Sequence, residues 1–108
     1  MQQIQLRVPK AIHTLVRDEQ DRLLRSALRV AARQRARELA AEQREASANI
    51  RRYERKYGMS LAEFEHEKLP GLDSVQAHED YNDWFFWTRV LDRAGKTADV
   101  LKKMETVK

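Results

Sequence analysis

From Lys10 to Tyr57 the chain runs 48 residues without a proline or a glycine. Proline removes a helix hydrogen bond and glycine adds backbone entropy, so this stretch contains neither of the residues that most readily stop a helix. Asp18 is the expected amino-terminal cap, with Glu19 and Asp21 in a first turn where the helix dipole favours anions. Gly58 is the expected stop, preceded by Arg55 and Lys56 where cations are favoured. The pattern predicts one helix of about forty residues, near 60 Å long at 1.5 Å per residue.

A helix of that length needs a buried stripe. Its first part offers Leu23, Leu24, Ala27, Leu28, Ala31 and Ala32, a broad apolar face. From Ala36 the spacing becomes three and four: Ala36, Leu39, Gln43, Ala46, Ile50, Tyr53, Tyr57. That seam suits packing against one partner helix, and with Gln43 in it and few large residues it does not make a strong autonomous coiled coil. Composition agrees. Although 42% of residues are hydrophobic, many are alanine, and 35% are charged. Such a chain is expected to be extended, or to borrow core from a partner, rather than to enclose a deep pocket.

The flanks read differently. In "QIQLRVP", Ile4, Leu6 and Val8 alternate with Gln3, Gln5 and Arg7, which predicts a half-buried strand ended by Pro9. A lone strand is unstable, so a second strand from another chain is required, an inter-chain ribbon. A short helix follows in "KAIHTLV". Beyond Gly58, Ser60 and Glu63 form a capping-box pattern that opens a short helix ending near Leu69 at "LPG". Asp73 or Ser74 then caps a last helix from Val75 to about Arg93, closed by Gly95. The final "KTADVLKKMETVK", with helix propensity but few large apolar residues, reads either as an extension or as a frayed end. The expected fold class is therefore mainly α: a short amino-terminal β-strand, a short helix, the long helix, and two shorter helices. The expected division is residues 1–57, the strand-pairing dimerisation region with the long helix; 58–95, an acidic aromatic helical region; and 96–108, a basic tail.

Charge follows the same division. Residues 1–57 carry fourteen Lys/Arg against seven Asp/Glu, residues 58–92 two against eight, and residues 93–108 five against two. A basic amino-terminal half suits a polyanion, and an acidic segment suits a basic protein. In the last helix, Tyr81, Trp84, Phe85, Phe86, Trp87, Val90 and Leu91 cover nearly the whole circumference. A helix apolar all round must be buried on more than one side, or must offer aromatic anchors to a partner.

Catalysis finds little support. There is no cysteine, which excludes disulfides and thiolate metal sites. Glu63 and His66 have the Glu-x-x-His spacing of di-iron bundles, but no second such pair exists in the chain, and His66 and His78 read as surface or interface residues. The three glycines stand singly, so no phosphate-cradling loop is present. The longest apolar run is "WFFW", too short for a membrane span or a signal-peptide core, which makes the cytoplasm the expected compartment. No enzyme, no metal and no cofactor is expected.

Two resemblances add to this reading. "QIQLRVPKAIHTLVR" resembles the start of ribbon-helix-helix repressors, in which strands from two subunits enter the DNA major groove. That likeness implies Gln3, Gln5 and Arg7 as base readers; Arg17, Arg22 and Arg25 near the start of the long helix would then supply phosphate contacts. The glycine that usually marks the turn between that family's two helices is missing here. The pattern "KYGMSLAEFE…EDYNDWFFW" is similar to the carboxy-terminal region of prokaryotic type II antitoxins of the TumA kind. It implies a regulator that masks a small basic toxin, with operator DNA and a homodimer or higher toxin–antitoxin oligomer as further partners. Glu79, Asp80 and Asp83 would pair with toxin cations, and Tyr81, Trp84, Phe85 and Trp87 would fill apolar pockets. The alternative is a non-catalytic helical assembly or RNA-binding dimer.

Overall fold

The computed structural model describes residues 9–105, and among them every regular element is helical. After a 3-10 turn at Lys10–Thr14, the elements are α1 (Arg17–Tyr57), α2 (Leu61–Glu67), a 3-10 turn at Leu69–Gly71, and α3 (Val75–Glu105). The expected class, helices with an inter-chain β-ribbon, is corrected: no strand occurs among the described residues. The segment containing Ile4, Leu6 and Val8, with Gln3, Gln5 and Arg7, lies outside them. The core of the described residues closes helix on helix, with α1 from Ala32 onward packed against α3 and Phe64 of α2, so it draws on no strand pairing.

α1 is 41 residues long and ends where expected, with Gly58 at φ 67° receiving the chain in the left-handed region. Its start differs from expectation by two residues. Val16 in extended conformation is the cap, no side chain caps it, and Asp18 and Glu19 sit in the first turn. The bend before α1 needs no glycine, because Leu15 and Val16 both take extended backbone angles that any residue adopts. Ser60 caps α2 by accepting from the Glu63 amide at 3.2 Å. Of the two candidates before α3 it is Ser74 that caps, accepting from Ala77 N at 3.2 Å.

α3 is longer than expected. It runs through Gly95 to Glu105, so the segment after Gly95 extends the helix. One glycine in a helix costs about 1 kcal/mol, too little to stop a helix whose seam continues past it. That seam is Asp80, Trp84, Trp87, Leu91, Ala94, Ala98 and Leu101, an unbroken alternation of four and three, each residue buried or half-buried. It is the partner of the α1 seam, and on α1 the heptad Ala32, Leu39, Ala46 and Tyr53 is buried. The helices run antiparallel, since Tyr53 stacks on Trp84 while Gly95 lies 3.6 Å from Gln43 by an ideal Cβ. Small residues dominate one end of the seam and aromatic ones the other.

The result is a rod of 66 × 25 × 19 Å with a radius of gyration of 21.0 Å. A globule of this length has a radius near 13 Å, so the chain is elongated. Among the described residues, only the carboxy-terminal part of α1 is paired. The register of the two contacts above brings Leu101 beside Ala36, and every residue from Asp21 to Ala31 is exposed. Stepping back from Ala32 along the seam by threes and fours gives Arg29, Arg25, Arg22 and Asp18. The partner-facing line of α1 becomes charged where α3 runs out.

Candidate functional site

The aromatic end of the hairpin is built from three elements. Trp84 is fully buried, Phe64 of α2 is 1% exposed, and Tyr53 of α1 is 6% exposed. Trp84 stacks near-parallel with both Tyr53 and Tyr57, at 5.9 Å each, and tilts against Phe64 at 5.4 Å. Phe64 in turn stacks on Tyr81 at 6.0 Å. The short α2 covers the side of α3 that α1 does not reach, which is how a helix apolar all round is accommodated.

Around this core the carboxylates are held by α1. Asp80 is buried and accepts from Lys56 Nζ at 2.5 Å, Tyr57 Oη at 2.6 Å and Gln76 Nε2 at 3.0 Å. Burial pushes its carboxyl up, and these hydrogen bonds outweigh burial, so it lies below the usual carboxylate range. Asp83 accepts from Tyr53 Oη at 2.5 Å and lies 3.8 Å from Arg52. Burial, reinforced by that bond, raises the Tyr53 phenol. Tyr57 is pushed up to about 12, by burial first and then by Asp80. Tyr81 donates to Glu65 at 2.8 Å, which with burial raises it too.

The expected partner-binding residues therefore divide. Asp80, Tyr81, Asp83 and Trp84 are engaged within the chain. Glu79 and Phe85 face outward, Phe85 at 39% exposure beneath the Arg89 guanidinium. Trp87 is half-buried and meets Phe86 edge-on at 5.1 Å. Phe86, left out of the expected set, is more exposed than Phe85, at 54%. It stands on the outer flank of α3 with the half-buried Val90 one turn on. The sequence signal that separates Phe86 from Trp84 is the seam: Trp84 and Trp87 fall on the four-three alternation and Phe86 falls between them.

Of the expected DNA contacts, Gln3, Gln5 and Arg7 lie outside the described residues. Arg17, Arg22 and Arg25 are exposed on the unpaired part of α1, and Arg22 is 3.3 Å from Glu19. Among the described residues, Arg25, Arg29 and Arg33 have no ion-pair partner, whereas Arg35 pairs with Glu38 at 3.0 Å and Glu42 at 3.4 Å. His78 Nε2 donates to the Leu72 carbonyl at 3.1 Å, which anchors the loop before α3. Glu63 bonds Ser60 at 3.0 Å beside an exposed His66, and among the described residues no three metal-ligating side chains gather. Nor is any described helix long and apolar enough to cross a membrane.

A comparison with protein-family models, curated proteins and solved structures finds no match to this chain.

Proposed function

We propose that the chain is a non-catalytic regulator of the antitoxin type, in which the outer flank of α3 holds a small basic protein. The observation that carries the reading is Phe86, 54% exposed on the outer flank of α3, with exposed Phe85 beside it and exposed Glu79 two turns away on the same face. Exposed aromatic side chains with charged groups at their edge, here Glu79 and Arg89, have the composition of an interface anchor, and Phe86 at 54% exposure adds nothing to the core of the hairpin. The inner network of Lys56, Tyr57 and Asp80 supports this by fixing the rotation of α3, so that its outer residues form one preorganised surface.

The test is co-purification of the tagged chain from its native host, wild type beside Phe86→Ala and Glu79→Lys. A stoichiometric small basic protein, toxic when expressed alone and lost from both variants, supports the reading. Equal recovery with all three chains removes it.

A second reading, nucleic-acid binding, has its own observation. Arg22, Arg25 and Arg29 line the charged continuation of the seam; Arg22 pairs with Glu19, and among the described residues Arg25 and Arg29 have no ion-pair partner. Phosphate contacts from such a row give affinity without base discrimination and a steep dependence on salt. Binding that falls with log salt, and falls further in Arg25→Ala with Arg29→Ala, supports it.

A further inference from the structure

The unpaired part of α1 carries an apolar stripe that α3 cannot reach. At 100° per residue, Leu23, Leu24, Ala27, Val30 and Ala31 centre roughly 120° round the helix from the seam that faces α3. Leu23 is 47% exposed, Leu24 39%, Leu28 53% and Val30 60%. A single helix of some fifteen residues is marginal in water without a packed face, yet α1 extends unbroken through this region.

The charges beside the stripe name its occupant. Residues 18–21 hold the acids Asp18, Glu19 and Asp21, and residues 29–37 hold Arg29, Arg33, Arg35 and Arg37. Glu19 pairs with Arg22, and Arg35 with Glu38 and Glu42, which leaves Asp18, Asp21, Arg29, Arg33 and Arg37 without an ion-pair partner among the described residues. A parallel copy would set acid against acid and arginine against arginine. An antiparallel copy sets acid against arginine at both ends.

We propose that this face is the contact between two copies of the chain, packed antiparallel along α1 with the two-fold axis close to Ala27. In that register Leu23 meets the partner's Ala31, Leu24 the partner's Val30, and Gln20 the partner's Gln34. On one flank Glu19 falls between the partner's Arg33 and the partner's Arg37; on the other Asp21 faces the partner's Arg35. Ala27 against its own copy lets the helices approach closely. Such isologous pairing is self-complementary and closes at two chains. It leaves the aromatic end of each hairpin, some 35 Å away at 1.5 Å per residue, clear for any other partner. The proposal does not depend on the antitoxin reading.

The experiment uses the full chain, which has no native cysteine. Light scattering at micromolar concentration is expected to give twice the 12.8 kDa chain mass. Under mild oxidation, Ala27→Cys should form a covalent dimer. Gln20→Cys alone should not, and an equimolar mixture of Gln20→Cys with Gln34→Cys should. Leu24→Lys should return the chain mass while keeping the buried-tryptophan fluorescence of the hairpin. A wild-type monomer, or efficient cross-linking of Gln20→Cys to itself, would overturn the proposal. The cross-linking arms decide the matter even where Leu24→Lys fails to fold.

Discussion

Tyr57 donates a 2.6 Å hydrogen bond to Asp80, and Asp80 is a carboxylate only 6% exposed to solvent. The pair joins the last turn of α1 to the first turns of α3, and Lys56 reaches the same oxygen. A buried anion held by two donors of the other helix is a strong constraint on register, because sliding either helix by a turn would strip it of Lys56 and Tyr57 and leave only Gln76 of its own helix.

Acid should loosen this end of the hairpin. Asp80 is depressed in the folded state, against an ordinary value of 3.8. Its contribution is fully present above that value and is lost as pH falls through the lower folded value. Thermal unfolding followed from neutral pH to about pH 2 should show this loss in the wild type. Asp80→Asn should cost about 1–3 kcal/mol at neutral pH and show a shallower decline in acid.

Alkali should act on the other partner. Tyr57 is raised to about 12 from 10.0, so its contribution is intact below pH 10 and disappears as pH climbs toward 12. Tyrosinate absorbance should report ionisation of the folded chain late relative to free tyrosine, since Tyr53 and Tyr81 are raised as well. Tyr57→Phe should remove the steepest part of the alkaline loss of helicity. Early titration of all three tyrosines in the folded chain would contradict this geometry.

Neighbouring aromatics should separate stability from binding. Trp84→Ala removes a fully buried side chain and should cost about 3–5 kcal/mol, enough to melt the hairpin, as read by circular dichroism. Phe86→Ala removes a half-exposed one and should shift stability by less than about 1 kcal/mol while abolishing partner capture.

Two glycines should respond in opposite directions. Gly58→Ala puts a side chain at φ 67° and should lower stability by about 1 kcal/mol, with open space around the new methyl offering no compensation. Gly95→Ala adds helix propensity inside α3, with Gln43 at ordinary contact distance, and should raise stability by about 0.5–1 kcal/mol. Denaturant midpoints of the two variants check both signs.

Local chemistry was legible in the sequence where a single residue decides it. Gly58, Ser60 and Ser74 act through their own backbone or hydroxyl, and each is where its residue type predicts. The seam from Ala36 to Tyr57 was legible as well, because periodicity shows which face is buried. What lies against that face is a property of pairing, and α3's matching alternation was hidden by aromatics filling the positions between. Gly95 misled for a related reason: its cost as a helix residue is small beside the packing of Ala94, Ala98 and Leu101 beyond it. Asp80 and Asp83 resembled exposed binding carboxylates, because nothing local announces the Lys56, Tyr57 and Tyr53 donors that lie more than twenty positions away.

The antiparallel register also sets an order in time. Ala32 and Leu39 leave the ribosome well before the turns of α3 that cover them. At roughly 5–20 residues per second, the interval between Tyr57 and Glu105 lasts some seconds. During it the alanine end of the seam is open to proteases, chaperones or another nascent copy. A chain interrupted before Ala94 would keep an aromatic end that can close while its alanine end stays bare, so the two ends of one seam are secured at different moments.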